Sequence, residues 1–232
     1  MHPILKRYFP GLYYLKKRRK GRHLRSLSAE QVFTQLYQGR GWLHQESASG
    51  PGSTLEETET LRQELPRLFN AFKIRTVLDL PCGDLNWIQQ VPLRVERYVG
   101  ADIVQALIEA NQRRYADQTR TFLKLDLLVD DLPPSDLVLC RDCLPHLDYH
   151  DIFKALKNLA RSEITYLLAT TYTRLDCNLN IVTGQWRPLN FLLAPFHFPP
   201  PLAVIDECSP RGSSRVYGKS LGLWKITDLP SI

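Results

Sequence analysis

No hydrophobic run in the 232 residues approaches the ~18 apolar positions that a membrane-spanning helix needs. The first residues lack the apolar stretch and small-residue cleavage site of a secretory leader, so none is expected there. Cysteine is sparse and odd in number, with Cys82, Cys140, Cys143, Cys177 and Cys208 at spacings that form no disulfide framework. A reducing, cytoplasmic setting is therefore expected. Cys140 and Cys143 form a lone C-x-x-C; the expectation is that Cys140 ends a buried strand and Cys143 packs beyond it, without a metal. Acidic residues are missing from residues 1–25, which carry nine of the 30 Lys and Arg. The rest holds 21 basic against 24 acidic side chains, so the net charge of +6 belongs to the N-terminal segment. That segment, residues 1–27, is read as an appendage to one domain spanning 28–232. Its interleaved aromatics suit an anionic membrane, nucleic acid or the protein's own body as a resting place.

What is present is a strand–helix alternation. Ser28 and Gln31 have the spacing of a capping box and open a short helix, ended by Gly39 and Gly41. A Gly/Ser-rich turn over 47–53 follows. Ser53 and Glu56 suggest a second capping box, with Pro66 breaking or restarting the helix behind it. From residue 76, short apolar runs at 76–80, 98–101, 121–124, 136–140 and 164–169 alternate with helical stretches at 85–91, 104–116 and 149–161. That pattern predicts an α/β fold with a parallel sheet covered by helices on both faces. Two closing runs, 202–205 and 221–226, are expected to pair as an antiparallel hairpin.

Sheets of this type bind ligands beyond the carboxyl ends of their strands. The first strand ends in Asp79, and Gly83 in the turn behind it lets backbone approach a ligand closely. Carboxylate chemistry there suits a cationic or donor-rich ligand better than a pyrophosphate, and the G-x-G-x-x-G dinucleotide fingerprint is absent. Asp102 ends the second strand, where an acidic residue can bind a ribose hydroxyl pair. Asp126 follows the third, placed to accept from an adenine amino group with Leu125 or Leu127 against the ring. An aspartate closing a strand is ordinarily a turn or cap residue; three in succession are a constellation.

Residues 76–84 resemble motif I of class I methyltransferases that use S-adenosylmethionine (SAM). Residues 98–102 resemble motif II, and 123–126 the adenine-binding motif. More narrowly, the segments 49–53, 80–87, 140–146 and 184–190 are similar to those of a bacterial methyltransferase group. The resemblance covers about residues 28–227. It implies a Rossmann-like, seven-stranded, mostly parallel sheet with an antiparallel C-terminal hairpin, and SAM as cofactor. By resemblance, Gly50, Gly52 and Ser53 hold the carboxylate of the SAM amino-acid moiety. Asp79, Cys82, Gly83, Asp84, Asp102, Ile103, Asp126, Leu127 and Arg141 surround the cofactor. Motif I departs from its usual three glycines: Pro81 and Leu85 stand at the first and third positions.

The fourth strand leads to Asp142 and His146. Imidazole has the pKa range of a general base, and Asp142 can orient it or take the proton itself; a structural role for His146 is the alternative. The loop over 176–201, stiffened by Pro188, Pro195 and Pro199–Pro201, reads as a preformed substrate wall. Trp186, Arg187 and Asn190 are its candidate contacts to a polar or anionic acceptor, although Trp186 and Phe196 equally suit the core. The expected activity is methyl transfer to a hydroxyl of a small molecule or glycan. The alternative is a non-catalytic SAM-fold module tethered by its basic segment.

Overall fold

In a computed structural model, residues 10–39, 41, 44–207 and 217–230 are described. Five α-helices occur among them: α1 Pro10–Lys20, α2 Ala29–Gln38, α3 Glu59–Ala71, α4 Gln105–Tyr115 and α5 Tyr149–Arg161. Seven strands form one sheet: β1 Thr76–Asp79, β2 Arg97–Asp102, β3 Arg120–Lys124, β4 Ser135–Cys140, β5 Ile164–Tyr172, β6 Ala203–Asp206 and β7 Lys219–Lys225. Their order is β3-β2-β1-β4-β5-β7-β6. The first five pair in parallel, whereas β7 pairs antiparallel with both β5 and β6. The strand order reverses between β1 and β4, and the crevice above that reversal is where such sheets take ligands.

Alternation along β4 shows how the sheet is covered. Val138 and Cys140 join one apolar cluster with Ile152, Leu156 and Leu159 of α5. Leu137 and Leu139 join the opposite cluster with Leu61, Leu65 and Phe69 of α3 and Ile108 of α4. Strands buried on both faces read as continuous apolar runs for this reason. Helix α5 starts at Asp148, whose side chain accepts from the Asp151 N–H at 2.9 Å, a cap contributing about 1 kcal/mol. In α2 the Ser28 hydroxyl accepts from the Gln31 N–H, and the Gln31 side chain accepts from the Ser28 N–H, completing the capping box.

Four local expectations are corrected. Helix α3 runs through Pro66. Burial of Leu61, Leu65, Leu68 and Phe69 along one face offsets the ~3 kcal/mol that an interior proline costs. Ser53 caps no α-helix: residues 51–53 are a 3-10 turn, and α3 begins only at Glu59. The chain between is pinned elsewhere, with the Ser53 carbonyl accepting from Asn86 Nδ2 and the Thr58 hydroxyl donating to the Thr54 carbonyl. The stretch 85–91 holds a single 3-10 turn, Ile88–Gln90, because Leu85 sits at φ +57°, outside helical space. Strand β5 also continues through Thr170, Thr171 and Tyr172, beyond the run expected over 164–169; the Tyr172 N–H is taken by the Leu189 carbonyl.

Residues 10–26 lie against the body. The Lys17 ammonium donates to the Trp186 carbonyl at 2.6 Å, and Gln185 Nε2 donates to the Lys17 carbonyl at 2.6 Å. Tyr14 is buried. Of the described helices, none is long and apolar enough to cross a membrane.

Candidate functional site

A cavity opens beyond the carboxyl ends of β1, β2 and β4. Asp79, Cys82, Gly83, Asp84, Asp102, Ile103, Asp126, Leu127, Arg141, Asp142 and His146 all line it. Its floor is the turn after β1. There Gly83 adopts φ +57°, and a Cβ on it would lie 2.2 Å from the Ser49 hydroxyl. The closeness has a function: Ser49 Oγ accepts from the Asp84 N–H and donates to Asp84 Oδ1. Asp84 Oδ2 also accepts from the Ala48 N–H and the Ser47 hydroxyl. The Gly/Ser-rich turn is thus clasped onto the β1 turn by one carboxylate. Leu85, where the resembling motif has a glycine, takes the left-handed conformation a glycine would supply. The Leu80–Pro81 peptide is cis.

The carboxylates face the cavity in different states. Asp79 is buried, and desolvation raises its pKa to about 7, against a hydrogen bond from the Tyr98 hydroxyl that lowers it. Burial likewise raises Asp102 to about 6, although it accepts from the Gly83 and Val104 N–H groups. Neither forms an ion pair among the described residues. Asp126 is half-buried; burial raises it, and its Oδ1 accepts from the Leu128 N–H. Two buried carboxylates without counter-cations suit a ligand that brings positive charge and N–H or O–H donors.

Opposite lies a closed charge network that sequence reasoning missed. Buried Arg141 donates to Glu207 Oε2 from Nε and Nη2, at 3.0 and 2.7 Å, and to the Gly52 carbonyl at 2.7 Å. Its guanidinium lies 5.2 Å from the Trp87 ring centroid. Lys219 reaches Asp142 at 2.6 Å and Glu207 at 3.3 Å. For Asp142, burial would raise the pKa, but Lys219 and Arg141 outweigh it and hold the group at about 2. Glu207 and Lys219 lie at the foot of the β6–β7 pair, where the Glu207 N–H donates to the Lys219 carbonyl. Only the hairpin register brings them to Arg141; opposite charges flanking the loop were the available signal.

His146 closes the 3-10 turn Leu144–His146 beside the cavity. Burial lowers its pKa to about 4, against the favourable field of Asp142, so the imidazole is neutral near pH 7. Cys140 is buried at the end of β4 and Cys143 borders the cavity. No group of three or more His, Cys, Asp or Glu able to hold a metal occurs among the described residues. His150 is exposed.

Other candidates are placed elsewhere. Gly50 and Gly52 do not line the cavity, and the Gly52 carbonyl is taken by Arg141; Ser53 does line it. Arg187 is fully buried, donating to the Leu179, Leu144 and Pro145 carbonyls. Asn190 is buried, donating to the Leu175 carbonyl and accepting from the Leu192 N–H. Arg187 ties the loop to the His146 turn, Asn190 ties the loop to itself, and neither lines this cavity. Trp186 packs edge-on against Tyr172. Phe191, Phe196 and Phe198 cluster with Trp224, so the proline-rich loop is part of the core. A further wall comes from α2, where Ala29, Phe33 and Tyr37 line the cavity at four-residue spacing.

Residues 77–162 match the model of a family described as a methyltransferase domain. No curated protein matches the chain. The N-methyltransferase NodS from Bradyrhizobium japonicum WM9 is similar in structure, with TM-score 0.56 and 14% identity, over 75% of this chain and 97% of that one. The likeness shows a shared fold. A magnesium protoporphyrin IX methyltransferase (ChlM) from Synechocystis PCC 6803, solved with bound SAM, aligns at TM-score 0.46 and 16% identity, over 63% of this chain and 77% of that one.

Proposed function

We propose that the chain, whose residues 77–162 match a methyltransferase domain family and whose sheet has the Rossmann-like fold, binds SAM in the cavity above β1, β2 and β4 and methylates a hydroxyl of a small molecule or glycan. One observation carries this reading: Asp79, Asp102 and Asp126, each from the end of a successive parallel strand, line one cavity around Gly83. Asp102 accepts from the ribose hydroxyls. Asp126 accepts from the adenine amino group, with Leu127 against the ring. Asp79 faces the cationic methionine end, where Cys82, Gly83, Asp84 and Ser53 complete the floor and Arg141 the opposite wall. Tyr98, donating to Asp79, fixes which carboxylate oxygen faces inward.

SAM supplies an electrophilic methyl group on a sulfonium, ready for in-line displacement. The protein aims the acceptor and receives its proton. His146, neutral and at the cavity wall, takes the proton at a ring nitrogen. The Asp142 carboxylate, ionised by Lys219 and Arg141, stabilises the resulting imidazolium. Asp142 is already engaged by Lys219 and Arg141, so it serves as the electrostatic partner. Trp87 and Phe33 give the cavity apolar walls. That Leu85 supplies the conformation of the missing glycine favours a competent cofactor site over a non-catalytic module.

Calorimetric titration with SAM and with its demethylated product tests the reading. We expect saturable binding, weakened roughly 10–100-fold in Asp102→Ala, as lost hydrogen bonds to a charged group imply. Absence of wild-type binding would overturn it. Binding without turnover across hydroxyl acceptors would leave the non-catalytic module as the correct reading.

A further inference from the structure

We propose that the outward face of α1 is a docking surface for an anionic lipid bilayer. At 100° per residue, Leu12, Leu15, Lys16 and Arg19 lie on one side of α1. All four are exposed, with Leu12 at 47% and Leu15 at 49%. The opposite side is engaged: Tyr14 is buried and Lys17 is bound to the loop at Gln185 and Trp186. The helix is thereby attached to the body by one face and presents the other. Lys16, Arg18, Arg19, Lys20, Arg22 and Arg25 form no ion pair among the described residues. The rest of the chain is net acidic. Positive charge is therefore concentrated on this one segment, and an anionic surface is drawn to it and repelled elsewhere.

The two leucines decide the kind of surface. Basic side chains alone serve a phosphate backbone or a lipid headgroup equally well. Apolar side chains beside them gain free energy only where hydrocarbon is within reach, as at the headgroup–acyl boundary. Position adds a consequence that rests on the methyl-transfer reading. The Gly184 N–H donates to the His146 carbonyl, and neighbouring Gln185 holds α1. A bilayer on the outward face of α1 is therefore separated from His146 by the helix and one loop, which makes a membrane-borne amphiphile the acceptor class to test.

Sedimentation of the full chain with vesicles tests the docking. Phosphatidylcholine mixed with phosphatidylglycerol is expected to bind it, and phosphatidylcholine alone is not. Lys16→Ala with Arg19→Ala should weaken binding roughly 30-fold. Leu12→Ser with Leu15→Ser should weaken it at least about tenfold. These positions are exposed, so unfolding midpoint and SAM titration should be unchanged, which separates lost docking from lost fold or a failed cofactor reading. Equal binding to both vesicle types, or binding to neither, overturns the proposal. So does an RNA duplex that binds as strongly and is indifferent to the leucine pair, which would assign the face to nucleic acid.

Discussion

Gly83→Ala puts the architecture of the β1 turn to a quantitative test. The backbone there is left-handed, at φ +57°, costing a non-glycine residue about 1–2 kcal/mol. The new methyl group would lie 2.2 Å from Ser49 Oγ and 3.1 Å from Ser49 Cβ, with no other atom within 4 Å. Ser49 must therefore move. It then gives up its bonds with the Asp84 N–H and carboxylate, at 3.0 and 3.1 Å, worth together about 1–3 kcal/mol. The expected destabilisation is about 2–5 kcal/mol, a fall in unfolding midpoint of roughly 5–15 °C for a domain of this size. Thermal and denaturant unfolding read it directly. Ser49→Gly supplies the discriminating control, because it removes both obstructing atoms. The double variant should be more stable than the two single effects predict, by about 1–2 kcal/mol. A Gly83→Ala protein within about 0.5 kcal/mol of wild type, or a strictly additive cycle, would refute the steric account.

Further expectations concern charge and attachment. Glu207→Ala leaves Arg141 buried with its main partner gone and should cost about 3–5 kcal/mol; Glu207→Gln, which keeps an acceptor, should cost less in the same denaturant titration. Asp79 has a folded pKa of about 7, above the ~4 of an unfolded aspartate. Its contribution to stability is thus fully present below pH ~4 and is lost as pH rises through 7, by up to about 4 kcal/mol. Asp79→Asn should gain stability relative to wild type between pH 5 and 8, and a relative loss would contradict the raised value. His146, lowered to about 4, works oppositely, its contribution being lost as pH falls from the ~6.5 of unfolded histidine through 4. Deleting residues 1–25 should leave SAM affinity within about twofold, since none of the described residues 10–25 lines the cavity; a large loss in calorimetry would make the segment part of the site.

The periodic parts of the fold were legible because they depend on neighbours in sequence. Apolar runs of strand length alternating with amphipathic stretches, such as Ile152, Leu156 and Leu159 in α5, announce a sheet covered on both faces. The chain places Asp79, Asp102 and Asp126 at strand ends, and parallel pairing then brings those ends together. Local signals failed where long-range burial competed with them. Pro66 lies within a helix because α3 packs four apolar side chains on the sheet. Ser53 caps no α-helix because its segment is tied to the β1 turn. The roles of polar side chains were decided by tertiary structure alone. Arg187 and Asn190 look like ligand contacts in a loop, yet the loop folds inward and consumes their donors on backbone carbonyls. Glu207 and Lys219, far in sequence from Arg141 and Asp142, meet them only because β7 turns back antiparallel between β5 and β6. Sequence patterning determines which residues must be buried and in what order the strands arise. Which charges meet inside, and therefore which carboxylates remain available to a ligand, depends on the three-dimensional closure of the chain.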